Sequence, residues 1–84
     1  MCYFMKMKED VVKAFGDTIR FFRSELGISQ EELANRSGFH RTYIGQVERG
    51  ERNPSLRNIE IFSKTFGITL DELFLKCEEL RISK

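Results

Sequence analysis

The stretch SQEELANRSGFHRTYIGQVERGERNPS, Ser29 to Ser55, leaves little conformational choice, because nearly every residue in it suits a helix face, a helix end or a turn. Ser29 stands at an N-cap position with Glu32 three residues on, the spacing at which a hydroxyl and a carboxylate each satisfy an orphan backbone donor. A helix is therefore expected from about Gln30, with Leu33 and Ala34 facing inward. Gly38 supplies the backbone freedom to end it and turn within a few residues. A second helix is expected from Arg41. Ile44 and Val47, three apart, form its buried side, and Arg41, Thr42, Gly45 and Gln46 fall on its outer side.

Two helices joined by a short glycine-containing turn, the second offering hydrogen-bonding side chains near its N-terminus, match a helix-turn-helix whose second helix enters the major groove of DNA. The net charge of +1 does not by itself suggest a nucleic acid, but its distribution does. Residues 36 to 57 carry Arg36, Arg41, Arg49, Arg52 and Arg57 against only Glu48 and Glu51, whereas the segments on either side are each slightly acidic.

The flanks read as three more helices. Val11 to Leu26 places Val12, Phe15, Ile19, Phe22 and Leu26 three or four apart before Gly27, and Gly16 within it hints at a close packing contact. Ser55 can cap a helix with Leu56, Ile59, Phe62 and Phe66 as its inner stripe, and Thr69 with Glu72 repeats the capping-box spacing before Leu70, Leu73, Phe74, Cys77 and Leu80. The expectation is an all-α, compact five-helix domain over residues 11–84 behind an N-terminal arm of residues 1–10. Ile61, Phe74, Leu75 and Ile82 exceed what one small core needs, so they are expected at a homodimer interface, or else as core overflow or packed under the N-terminal arm.

Several classes of function are unsupported. No apolar run approaches the roughly 20 residues of a membrane span, and the start of the chain lacks a secretory signal, so a cytoplasmic protein is expected. Cys2, Cys77 and His40 share no ligand spacing, so no metal is expected, and both cysteines should be reduced thiols. No nucleophile-histidine pair or phosphate loop is present, so neither an enzyme nor a cofactor is expected.

SQEELA, HRTYIG, VERGERNPSL and LDELF together resemble the λ-repressor-like helix-turn-helix regulators, the xenobiotic-response-element family, over roughly residues 15 to 75. The run HRTYIGQVERGERN is especially similar to the controller proteins of restriction-modification systems. The resemblance implies roles for individual residues. Arg41 and Thr42 fall in the turn that reaches base edges; Arg41 suits guanine or clamps a phosphate, and Thr42 offers a hydroxyl or a methyl. Gln46 occupies a base-reading position and its amide would suit adenine. Gln30 would present its amide and its helix N-terminus to a phosphate, and Arg36, Arg49, Arg52 and Asn53 would grip the DNA backbone. Tyr43 would donate to a phosphate or cover the core. Gly45 either lets the helix sit deep in the groove or packs against another helix. His40 is a cap or a phosphate neighbour. Arg23 and Glu48 would form a partly buried structural bridge, and Glu31 is either an activating contact or a helix-end charge.

The function these readings imply is a transcriptional regulator that binds a palindromic operator in double-stranded DNA as a homodimer. Dimers of the resembled family use the end formed by helices four and five. Resemblance to controller proteins adds regulation of its own and restriction-modification genes, with RNA polymerase as a further candidate partner and no small-molecule ligand. A phage-type or antitoxin repressor, and a protein-interaction module on the same fold, are the rival readings.

Overall fold

The computed structural model describes the backbone of residues 2–82 and the side chains of residues 11–82. Five helices follow one another: α1 (Cys2–Leu26), α2 (Gln30–Ser37), α3 (Arg41–Glu48), α4 (Leu56–Phe66) and α5 (Leu70–Ile82). Among the described residues there is no strand. The first helix begins earlier than the expected Val11. Nothing between Cys2 and Asp10 breaks a helix, and the Met, Lys and Glu residues there are good helix formers, so the backbone of residues 2–10 of the expected arm is part of α1.

Capping sets the boundaries. The Ser29 hydroxyl accepts from the Glu32 amide at 3.0 Å, and the Ser55 hydroxyl accepts from the Asn58 amide at 3.1 Å. The reciprocal half of the box at Ser29 is replaced: the Glu32 carboxylate accepts instead from Arg36 Nε at 2.9 Å, one turn along α2. At Thr69 both halves form. Its amide donates to Glu72 Oε1 at 2.9 Å, and its hydroxyl accepts from the Glu72 amide at 3.3 Å. Gly38 ends α2 in the left-handed region at φ 85°, where its amide donates to the Ala34 carbonyl and the chain turns towards α3.

The core is a single cluster to which every helix contributes, including Phe15, Ile19, Leu33, Ile44, Val47, Phe62 and Leu73. Phe62 lies at its centre, with the Phe15, Phe39 and Phe66 rings at 6.1, 5.0 and 6.3 Å. Three end residues of the expected stripes are not inside: Leu26 is 44% exposed, Leu56 71% and Leu70 37%. Each is the terminal residue of its helix, where the apolar stripe runs on past the neighbouring elements.

Helix α1 packs against α5 on one side and α3 on the other, and the approach to α3 is very close. A β-carbon at Gly16 would lie 2.3 Å from the Val47 carbonyl oxygen, so only glycine allows the two helices this contact. Cys77 is buried beside Thr18, and burial pushes its thiol pKa up, as expected of an inert core cysteine. The Cys2 side chain lies outside the described residues.

Candidate nucleic-acid interface

Helix α3 starts at a histidine cap. His40 Nδ1 accepts from the Thr42 amide at 3.3 Å, which places the ring proton on Nε2 and settles the cap alternative for this residue. Arg41 and Thr42 are exposed in the first turn, and among the described residues no ion pair holds Arg41. Ile44 and Val47 are buried, as their spacing requires.

The C-terminal end of α3 is fixed by Glu48, a carboxylate with no exposure. Arg23 grips it with two parallel bonds, Nε to Oε2 at 2.6 Å and Nη2 to Oε1 at 3.0 Å. Gln30 Nε2 adds a third donor at 2.9 Å, and Arg20 Nε stands at 3.6 Å. The remaining Arg23 nitrogen donates to the Ile28 carbonyl at 3.0 Å, and Arg20 Nη2 reaches the Glu48 backbone carbonyl at 3.2 Å. Hydrogen bonding to Glu48 holds the Arg23 proton more tightly than usual, against the opposing effect of burial. Both oxygens of this buried carboxylate thus receive donors, all from α1 and α2.

Gln30 is therefore placed differently from the expectation. A carboxylate only accepts, so the Gln30 amide nitrogen must face Glu48, and this end of the side chain is turned into the protein. The unpaired backbone amides at the start of α2 are what this helix can still offer an anion. Gly45 is buried, and a β-carbon there would meet Arg49 Nη1 at 3.1 Å and Gln30 Oε1 at 3.8 Å.

A second network lies on the outer side. Tyr43 packs on Phe39, with ring centroids 4.9 Å apart, and its hydroxyl accepts from Asn58 Nδ2 at 2.9 Å. Because that bond uses a lone pair, the phenolic proton is left to be donated outward. Arg52 lies over the same ring at 5.3 Å and donates Nη1 to Gln46 Oε1 at 3.0 Å. Arg49 binds Glu51 through Nε at 2.9 Å, and this bond holds the Glu51 carboxyl below its ordinary range and raises Arg49. Asn53 is exposed in the same loop, while Arg36 pairs with Glu32 along α2. On α5 Phe74, Leu75 and Ile82 are 43%, 62% and 65% exposed, and Ile61 of α4 is half-buried.

Residues 19–73 match the helix-turn-helix family model. The chain belongs to that family. Among its relatives, the control protein C.SmaI of Serratia marcescens is 39% identical over 67 residues, which are 80% of each chain. The crystal structure of the restriction-modification controller protein C.AhdI from Aeromonas hydrophila superposes with a TM-score of 0.71 at 49% identity, over 77% of this chain and 97% of that one. The controller protein C.Esp1396I, solved as a tetramer with its natural 35-base-pair operator, gives a TM-score of 0.80 at 28% identity, over 86% of this chain and 95% of that one.

Within this helix-turn-helix unit three residues escaped the sequence reading. Arg20 could have been found, since it lies three residues before Arg23 and shares its helix face. Phe39 carries a weaker signal, an aromatic residue in a polar turn. Asn58 carries none, because fifteen residues separate it from the hydroxyl it meets. Among the described residues no group of side chains is arranged to hold a metal, and no helix is long and apolar enough to cross a membrane.

Proposed function

We propose that this chain is a sequence-specific transcriptional regulator of the controller type, acting as a homodimer on a palindromic operator that governs its own and restriction-modification genes. The observation that carries the reading is the exposed first turn of α3, with Arg41 and Thr42 outward, on a helix whose other end is clamped through Glu48 to α1 and α2. A reading helix must be held rigidly before a few side chains can discriminate bases, and this clamp supplies that rigidity. The solved operator complex of a relative with the same fold supports operator binding by this chain.

In this reading Arg41, Thr42 and Gln46 read bases, while Tyr43, Arg49, Arg52, Asn53, Arg36 and the start of α2 at Gln30 hold the DNA backbone. Ile61, Phe74, Leu75 and Ile82 join the two protomers. Two recognition helices then lie about one helical turn, ~34 Å, apart. The regulator works in the cytoplasm without enzymatic activity, and RNA polymerase is the partner through which a bound dimer would activate.

Selection from random duplex DNA, run with the wild-type chain and with Arg41→Ala at two salt concentrations, tests this. The expected result is an enriched palindrome that relaxes at one position per half-site in the variant and binds much more weakly at higher salt. Failure of the wild-type chain to enrich any sequence would overturn the reading.

A further inference from the structure

Gln46 is the one proposed base reader whose side chain is already committed to a neighbour. An arginine has only donors, so the Gln46 atom that faces Arg52 must be the carbonyl oxygen, and the amide nitrogen is turned the other way. The orientation does not rest on one exposed hydrogen bond. The Arg52 guanidinium lies over the Tyr43 ring, and Tyr43 is itself held at two points, by Phe39 along its face and by Asn58 at its hydroxyl. Residues 43 and 46 are three apart on α3, so ring, guanidinium and amide form one continuous layer over the outer side of the helix.

This layer matters for recognition because a free glutamine can present either end of its amide. Adenine shows an acceptor at N7 beside a donor at N6, and reading both needs the amide nitrogen and oxygen side by side. Guanine shows two acceptors, O6 and N7, and thymine shows O4, and these need only the nitrogen. We propose that Arg52 is a positioning residue that sets what Gln46 reads: by holding the carbonyl oxygen towards itself, it turns the N–H donors of Gln46 towards guanine or thymine instead of setting oxygen and nitrogen side by side for adenine. The proposal rests on the DNA-reading function above and replaces the adenine preference expected from the side chain alone. Arg52 acts in it through Gln46, and its charge near the DNA backbone is a separate contribution.

The test is selection from random duplex DNA with the wild-type chain, Gln46→Ala, Arg52→Ala and Arg52→Lys in parallel. Gln46→Ala identifies the half-site position that depends on this side chain. At that position the wild type is expected to favour guanine or thymine over adenine by about tenfold, within the range one good side-chain-to-base contact supplies. Arg52→Ala should bind all sequences more weakly through its lost charge but still enrich a palindrome with the Arg41-dependent position, while this one preference falls to about twofold or less. Arg52→Lys, which retains a charge for phosphate but not the planar stack on Tyr43, should relax the same position. Adenine at the marked position in the wild type, no Gln46-dependent position at all, or a uniform loss of affinity in Arg52→Ala with its preference intact would each overturn the proposal while leaving operator reading in place. If the wild-type chain enriches nothing, operator reading and this proposal fall together.

Discussion

Gly16 of α1 lies against the Val47 carbonyl of α3 so closely that a β-carbon at residue 16 would stand 2.3 Å from that oxygen and 2.8 Å from the Glu48 oxygen. Both obstacles are backbone, so neither can rotate aside. In an open helix Gly→Ala gains about 1 kcal/mol. Here Gly16→Ala should instead destabilise by about 1–3 kcal/mol as the two helices are forced apart. The urea midpoint decides the sign, and a midpoint at or above wild type would show that α1 and α3 do not meet this closely.

Glu48→Ala removes the acceptor for Arg23 and Gln30 and leaves a partly buried guanidinium without its counter-ion. The expected cost is about 3 kcal/mol or more. In a domain of this size each kcal/mol moves the melting temperature by about 4–8 °C, so thermal unfolding should shift by more than 10 °C. An unchanged melting curve would remove the bridge from the account of how α3 is held.

How much of this was legible in the sequence depends on how local each signal is. The helix starts at Gln30, Arg41, Leu56 and Leu70 follow from caps within three residues, and the inward pair Ile44 and Val47 follows from period alone. The bridge between Arg23 and Glu48 was reached only through resemblance, since nothing local links residues 25 apart. The same limit hid Asn58 behind Tyr43 and turned Gln30 inward. Leu26, Leu56 and Leu70 failed for the opposite reason: the period is right, but a terminal turn has no neighbour to cover it.

Tyr43→Phe keeps the ring beneath Arg52 and removes the hydroxyl that accepts from Asn58. Folding stability should fall by only about 1 kcal/mol. If the phenolic proton goes to a phosphate, affinity for the selected operator should drop about tenfold, with the preferred sequence unchanged, because a backbone contact carries no base information. Fluorescence anisotropy on the selected and on scrambled duplexes measures both.

Glu51 pairs with Arg49 and so competes with a phosphate for it, and Glu51→Ala should remove that competition. Operator binding should then tighten at low salt, and the slope of log affinity against log salt should steepen by about 0.9, one additional phosphate. In the wild type the depressed Glu51 carboxyl gives a definite sign. The pair persists above the ordinary carboxylate range and is lost as pH falls through the lowered value, which a carboxyl-carbon NMR titration of Glu51 follows. A titration at or above the ordinary range would contradict the pairing.

Leu75→Glu places a charge on the exposed face of α5 without touching the core. If that face joins two protomers, the change appears twice in a symmetric interface, each copy losing about 1.5–3 kcal/mol of apolar burial. The dimer dissociation constant should rise at least about a hundredfold by analytical ultracentrifugation, with the melting curve of the monomer little changed. Equal association of the two proteins would move the interface elsewhere.

The clamp on Glu48 draws its side-chain donors from residues that precede α3, at positions 20, 23 and 30. The aim of the reading helix is therefore inherited from the scaffold, while Arg41 and Thr42 stand outside it and bear none of its weight. If these two residues read bases as proposed, such a chain can drift to a new operator through single substitutions there without refolding. Gln46 is bound by a different rule: its amide is tied through Arg52 and Tyr43 to Asn58, so if it reads a base as proposed, a change of meaning there requires four residues to move as a group.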